Sequence, residues 1–169
     1  MDQYISDSTK YRFGNQVISL PIFLNELPKD ILIEETNLFL RSSFHVTLVA
    51  IGEIIRKHAV TIPDFELNLI QDFCDYVKKN PIEFIGFKNE YRFVSENERR
   101  SIVAMCNISN LEGFFNLLNT KYNLNIEVPP THVTIYTLQP NKGIFLTDSS
   151  DIQKLTKIVT VPGLTLSTI

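Results

Sequence analysis

The chain has 169 residues, 44% hydrophobic and 21% charged, with a formal net charge of −3 and a pI near 5.6. That length suits one domain over residues 1–169, or two small lobes sharing a core, and the composition is ordinary for a globular protein. The acidic balance argues against broad binding to duplex DNA, where clustered Lys and Arg neutralise phosphates, and leaves room for a small nucleotide held by a few local donors.

No apolar run approaches the roughly 20 residues that a membrane span needs. The first residues, Met1-Asp2-Gln3-Tyr4, lack the basic region and apolar core of a signal peptide. A cytoplasmic monomer with no membrane partner is the expectation. Cys74 and Cys106, the only two cysteines, lie far apart in apolar surroundings, as expected for buried thiols in a reducing compartment.

Residues 1–10 are polar and expected to be loose. Residues 11–20 read as a first strand interrupted at Gly14-Asn15, with Pro21 and Pro28 bracketing a connecting segment. Ile31, Ile33, Leu38 and Leu40 alternate as strand residues do, although Glu34-Glu35 would also suit a helix. The reading adopted is a strand near 36–41 that pairs with the next one across Ser42-Ser43. That next strand is Phe44-His45-Val46-Thr47-Leu48, rich in β-branched and aromatic residues.

After Val49 the pattern becomes helical, with a short turn over 52–58. Thr61-Ile62-Pro63-Asp64 has the spacing of a helix start. Phe65, Leu69, Ile70, Phe73, Cys74 and Val77 then recur at three-to-four-residue steps as far as Lys79, and Pro81 ends the run. Residues 82–87 and 91–94 read as two strands around a tight turn at Lys88-Asn89-Glu90. A polar connection over 95–100 leads to a strand over 102–106.

Ser109-Asn110-Leu111-Glu112 has the capping-box pattern, and the helix behind it carries Leu111, Phe114, Phe115, Leu118 and Tyr122 on one face. After Pro129-Pro130 comes another strand, Thr131-His132-Val133-Thr134-Ile135. Ser150-Asp151-Ile152-Gln153 caps a last short helix, and 157–166 forms one or two strands around Pro162-Gly163. Without a long parallel βαβ series, the class is α+β with antiparallel sheet.

Of the three histidines, two stand in an identical His-Val-Thr followed by an aliphatic residue. Strand side chains alternate faces, so His45 and Thr47 point one way and Phe44, Val46 and Leu48 the other. His132, Thr134 and Tyr136 likewise oppose Val133 and Ile135. If two lobes bring the copies to opposite sides of a cleft, the imidazoles form an acid–base couple, since their ordinary pKa of about 6.5 lets one hold a proton while the other does not. Cleavage of a phosphodiester needs that pair, one removing a proton from the attacking oxygen and one protonating the departing oxygen. Thr47 and Thr134 would donate to the non-bridging phosphate oxygens. Neither metal nor cofactor is required.

Tyr136 is expected to line the same cleft. Lys10, Tyr11, Arg12 and Phe13 interleave cations with aromatics, which suits stacking on a base beside a phosphate. Arg41 and Lys142 flank the two motifs and would add positive potential. His58, following Arg56-Lys57, is read as a surface residue at a helix end. Gly-rich phosphate loops, His-Glu-x-x-His and paired Cys-x-x-Cys motifs are absent.

His45-Val46-Thr47-Leu48 and His132-Val133-Thr134-Ile135 resemble the paired signatures (His, apolar, Thr or Ser, apolar) of the 2H phosphoesterases, a superfamily that includes 2′-5′ RNA ligase-like proteins and RNA 2′,3′-cyclic phosphodiesterases. The resemblance in motif spacing and strand placement spans nearly the whole chain. It implies a bilobal, pseudo-two-fold α+β fold, with antiparallel sheets lining a central cleft and helices outside. It also implies His45 and His132 as the acid–base pair and Thr47 and Thr134 as phosphate-binding hydroxyls. The expected substrate is a 2′,3′-cyclic phosphate or a 2′-5′ linked oligonucleotide. A nuclease of cyclic oligonucleotide signals and a catalytically silent nucleotide- or RNA-end-binding module are the alternatives. Which histidine acts as base, and whether ligation runs in reverse, stay open.

Overall fold

A computed structural model describes residues 10–169. The loose segment expected over 1–10 therefore falls outside the described residues up to residue 9. The described residues form nine strands, β1 (Arg12–Gly14), β2 (Val17–Ile22), β3 (Asp30–Ile33), β4 (Thr36–Leu40), β5 (Phe44–Ala50), β6 (Phe84–Glu96), β7 (Arg99–Ile108), β8 (His132–Thr137) and β9 (Thr156–Val159). Four helices accompany them, α1 (Ile51–Lys57), α2 (Phe65–Lys79), α3 (Leu111–Tyr122) and α4 (Ser149–Leu155). The strands make one sheet in the order β1-β2-β5-β8-β7-β6-β9, with the β3–β4 hairpin joined through β4 to β8. Every pairing between them is antiparallel. The fold is thus α+β, and no helix among the described residues is long and apolar enough to cross a membrane.

The apolar stripes do what their spacing demands. Phe65, Leu69, Ile70 and Phe73 of α2 are buried, as are Leu111, Phe114, Phe115 and Leu118 of α3. Phe73 meets Tyr11 and Phe114 edge-on, with ring centroids 5.1 Å and 5.2 Å away, a geometry the ring quadrupoles favour. These helices pack with one face of the sheet (Val46, Leu48, Val133, Ile135) in the main core. A second, smaller cluster of Val94, Val103, Met105, Ile144 and Leu146 lies apart from it. Val103 and Met105 are the cross-strand partners of Thr134 and His132, so this cluster marks the face that the histidines share. Cys106 points into the main core, where burial pushes its thiol up to about 12, while Cys74 is half-buried on α2.

Several local expectations are corrected. β4 does not pair with β5 across Ser42-Ser43. Both strands lie along the same edge of β8, which Leu40 meets at Tyr136 and Val46 at Val133, and the residues between them bulge out. Lys88-Asn89-Glu90 is likewise a bulge within the single strand β6, because Phe87 pairs with Cys106 and Tyr91 with Ala104. β2 continues through Pro21, which β1 does not reach, since their pairing ends at Ser19. A residue without an N–H is tolerated on such an edge.

The capping patterns also differ. Ser109 does not cap α3 and accepts a hydrogen bond from Glu83 N instead, while Asn110 before the helix is left-handed. Asp64 before α2 is left-handed too and makes no side-chain cap. α4 is capped by Asp148, whose carboxylate accepts from Asp151 N.

Candidate active site

The two His-Val-Thr units lie side by side on β5 and β8, running antiparallel with Val46 paired to Val133. One residue to either side, that register puts His45 beside Thr134 and Thr47 beside His132. The imidazoles are then diagonal neighbours, with backbones about 7–8 Å apart in such a pair. Val46 and Val133 are fully buried beneath them. His45, Thr47, His132 and Thr134 all line one cleft of about 850 Å³, within the range of about 300–1,000 Å³ usual for ligand sites. Neither threonine hydroxyl donates to any of the described residues.

The histidines differ in their surroundings. His132 is 8% exposed, and its Nδ1 lies 2.8 Å from the Pro130 carbonyl oxygen. A carbonyl only accepts, so the neutral ring carries its proton on Nδ1 and its lone pair on Nε2. Burial lowers the pKa of His132 from 6.5, and the hydrogen bond to Pro130 partly opposes the shift. His45 is half-buried and its pKa is lowered too, by burial first, then by the nearby Arg41 guanidinium and by His132.

Arg41 leaves β4 where the chain bulges, with its N–H donating to the Ile135 carbonyl at 3.0 Å. Its guanidinium Nε is buried without a hydrogen-bond partner. A buried N–H without a partner is costly, and the guanidinium charge acts on His45. Gly143 closes over it, since a Cβ at that position would stand 3.0 Å from Arg41 Nη1 and 3.7 Å from Thr134 Oγ1. Lys142 lines the cleft beside it, and Arg99 Nη1 donates to the Gly143 carbonyl at 3.1 Å. A locally cationic end thus exists in a chain of net charge −3.

Of the residues singled out in the sequence, His45, His132, Thr47, Thr134, Arg41 and Lys142 come together, and four others do not. Tyr136 does not share the face of His132. β7 passes from Ile102 to Val103 while β8 passes from Tyr136 to Thr134, so Ile135 is an extra residue that turns the Tyr136 side chain into the main core. There it is fully buried, and its hydroxyl donates to the Pro28 carbonyl at 2.8 Å. Tyr11 is buried as well, donating to Ile82 O and accepting from Ile82 N, both at 2.9 Å. Lys10 pairs with Glu83 at 3.1 Å, and Arg12 is exposed on β1 away from the cleft lining. His58 is exposed at the end of α1, as expected, and also edges the cleft.

Arg99, which the sequence reading placed in a polar loop (Glu98-Arg99-Arg100) and not at an anion site, lines the cleft, and so do Gly143 and Phe145, which were not singled out. The signal for the last two was a glycine between a lysine and an exposed aromatic just after the second motif strand. No protein-family model, no curated protein and no solved structure matches this chain.

Proposed function

We propose that the chain is a metal-independent phosphodiesterase of the 2H type, acting on 2′,3′-cyclic phosphates or 2′-5′ linked oligonucleotides. The observation that supports this best is the antiparallel, side-by-side placement of two His-x-Thr units over one cleft with an unpaired arginine beside them. In this reading β5 and β8 are the central strands of two lobes related by a pseudo-two-fold, with its axis between Val46 and Val133.

His132 is the general base. Burial holds it neutral, its Nδ1–H is anchored on Pro130, and its Nε2 takes a proton from the attacking water. As the water oxygen bonds to phosphorus, the bond from phosphorus to one ribose oxygen breaks, and His45 gives that oxygen its proton. The Thr47 and Thr134 hydroxyls and the Arg41 guanidinium stabilise the charge that grows on the non-bridging oxygens. A 2′,3′-cyclic phosphate thus opens to a nucleoside 2′- or 3′-monophosphate, and a 2′-5′ linkage parts into one fragment with a terminal phosphate and one with a free hydroxyl.

Turnover of 2′,3′-cyclic nucleotides, 2′-5′ oligoadenylate and cyclic di- and trinucleotides, measured with EDTA present, tests the proposal. Cleavage of the 2′,3′-cyclic nucleotides, of 2′-5′ oligoadenylate, or of both is expected. His45→Ala and His132→Ala should each lower kcat by about 10²–10⁴-fold with the thermal transition retained. Tight binding of the panel with no cleavage would replace catalysis by a silent binding module. Cleavage confined to the cyclic di- and trinucleotides would favour a nuclease of cyclic signals.

A further inference from the structure

The cleft is electrically lopsided. Arg41, Lys142 and Arg99 gather around Gly143. Along the strap that joins β8 to α4 (138–148) the lining changes sign five residues after Gly143, at Asp148, which is joined by Glu127 from the segment before β8 and Glu53 from α1. Lys57 lines that end but is already shared between Asp148 and Asp151. Glu127 holds the Ser149 N–H and hydroxyl rather than a cation, and the Arg56 that pairs with Glu53 is outside the cleft lining.

Between the two ends, Phe145 presents a ring that is 47% exposed. Its neighbours Ile144 and Leu146 are buried at 5% and 3% in the second core. The strap is therefore pinned on either side of an aromatic face turned to solvent. Five residues of chain reach at most about 17 Å, a length that a single nucleotide unit spans.

We infer that the cleft takes one nucleotide unit, with its phosphate at the histidine and arginine end, its base stacked on Phe145, and the amino-bearing edge of that base toward Glu127 and Asp148. This rests on the phosphodiesterase reading for its phosphate end alone. It narrows the substrate to nucleoside 2′,3′-cyclic phosphates of cytosine, adenine or guanine. Carboxylates accept charge-assisted hydrogen bonds from an exocyclic amine. They meet the corresponding carbonyl of uracil acceptor to acceptor, and they repel a second phosphate.

Calorimetric titration of 3′-CMP, 3′-UMP and cytidine 3′,5′-bisphosphate into the full chain tests the inference, with cleavage of cytidine 2′,3′-cyclic phosphate assayed alongside. 3′-CMP should bind at least about tenfold tighter than 3′-UMP, as a hydrogen-bonding site discriminates against an analogue that leaves its polar groups unpaired. The bisphosphate should bind more weakly than 3′-CMP. Phe145→Ala should weaken 3′-CMP about tenfold through lost stacking, and Phe145→Tyr should keep it. Equal affinity for 3′-CMP and 3′-UMP, tighter binding of the bisphosphate, or no binding at all would each overturn the inference. The expected order of affinities without cleavage would uphold it while removing the catalytic reading, and cleavage without that order would remove the inference alone.

Discussion

His45 and His132 carry the same residue name and are each followed by Val-Thr, yet their protonation is governed by different surroundings. Both pKa values lie below the ordinary 6.5, so near neutral pH the unliganded site holds two neutral imidazoles. For the reaction proposed above, a base in that state is ready and an acid is not. His45 loses its proton as pH rises through a lowered pKa, so the form competent for catalysis is most populated on the acid side of 6.5. The profile of kcat/KM against pH should be bell-shaped with its maximum there. Arg41 is one cause of the depression. Arg41→Gln should therefore move the alkaline limb to higher pH, and it should also raise KM about tenfold or more as a charged hydrogen-bond partner of the phosphate is lost. A limb that stays in place would show that Arg41 does not act on His45.

At the scale of elements, the buried tyrosines separate structural from substrate roles. Tyr11 bridges β1 to the start of the segment before β6 through both backbone groups of Ile82. Tyr11→Phe strands a buried N–H and a carbonyl, which should cost about 1–3 kcal/mol of stability by chemical denaturation while leaving kcat and KM unchanged. A raised KM with unaltered stability would return Tyr11 to the substrate. The sequence suggested the opposite because Lys10 to Phe13 mixes cations and aromatics, and local composition does not say which face of the sheet a strand presents.

The His-Val-Thr strands and the two long helices were legible because alternation and the helical repeat are local properties. The bulges at 41–43, at 88–90 and at Ile135 were not, because a bulge is defined by the strand across from it. One extra residue at Ile135 was enough to take Tyr136 out of the cleft. Arg99 read as part of a polar loop, and Phe145 escaped notice, for a related reason, since each reaches the site only when the strap returns across the sheet.

On the scale of the molecule, the cleft has walls only if α1, which follows the first motif, stays fixed against the strap, which follows the second. Lys57 makes that link. Its ammonium donates to Thr147 Oγ1 at 2.6 Å, to Asp148 at 3.2 Å and to Asp151 at 2.8 Å. Asp151 also accepts from the Thr147 N–H and hydroxyl at 2.9 Å and 3.0 Å. Burial alone would raise the Asp151 pKa, but the bonds from Lys57 and Thr147 outweigh it and hold the carboxyl below its ordinary 3.8.

A depressed carboxyl stabilises the fold above its unfolded pKa and ceases to do so as pH falls through the folded one. The Lys57 pKa is opposed by burial and raised by Asp151 and Asp148, so its share is complete below 10.5 and is lost only as pH rises through the raised value. Lys57→Met should therefore lower Tm by about 2–4 °C near neutral pH, as a partly exposed ion pair contributes about 1 kcal/mol. Below 3.8 the gap between the variant and the natural chain should close as Asp151 takes up its proton. Thermal scans from neutral to strongly acid pH measure this directly. A gap that persists at the acid end would mean that Lys57 stabilises the fold through its apolar stem rather than its charge, and that the far wall of the cleft is held by packing of Ile144 and Leu146 alone.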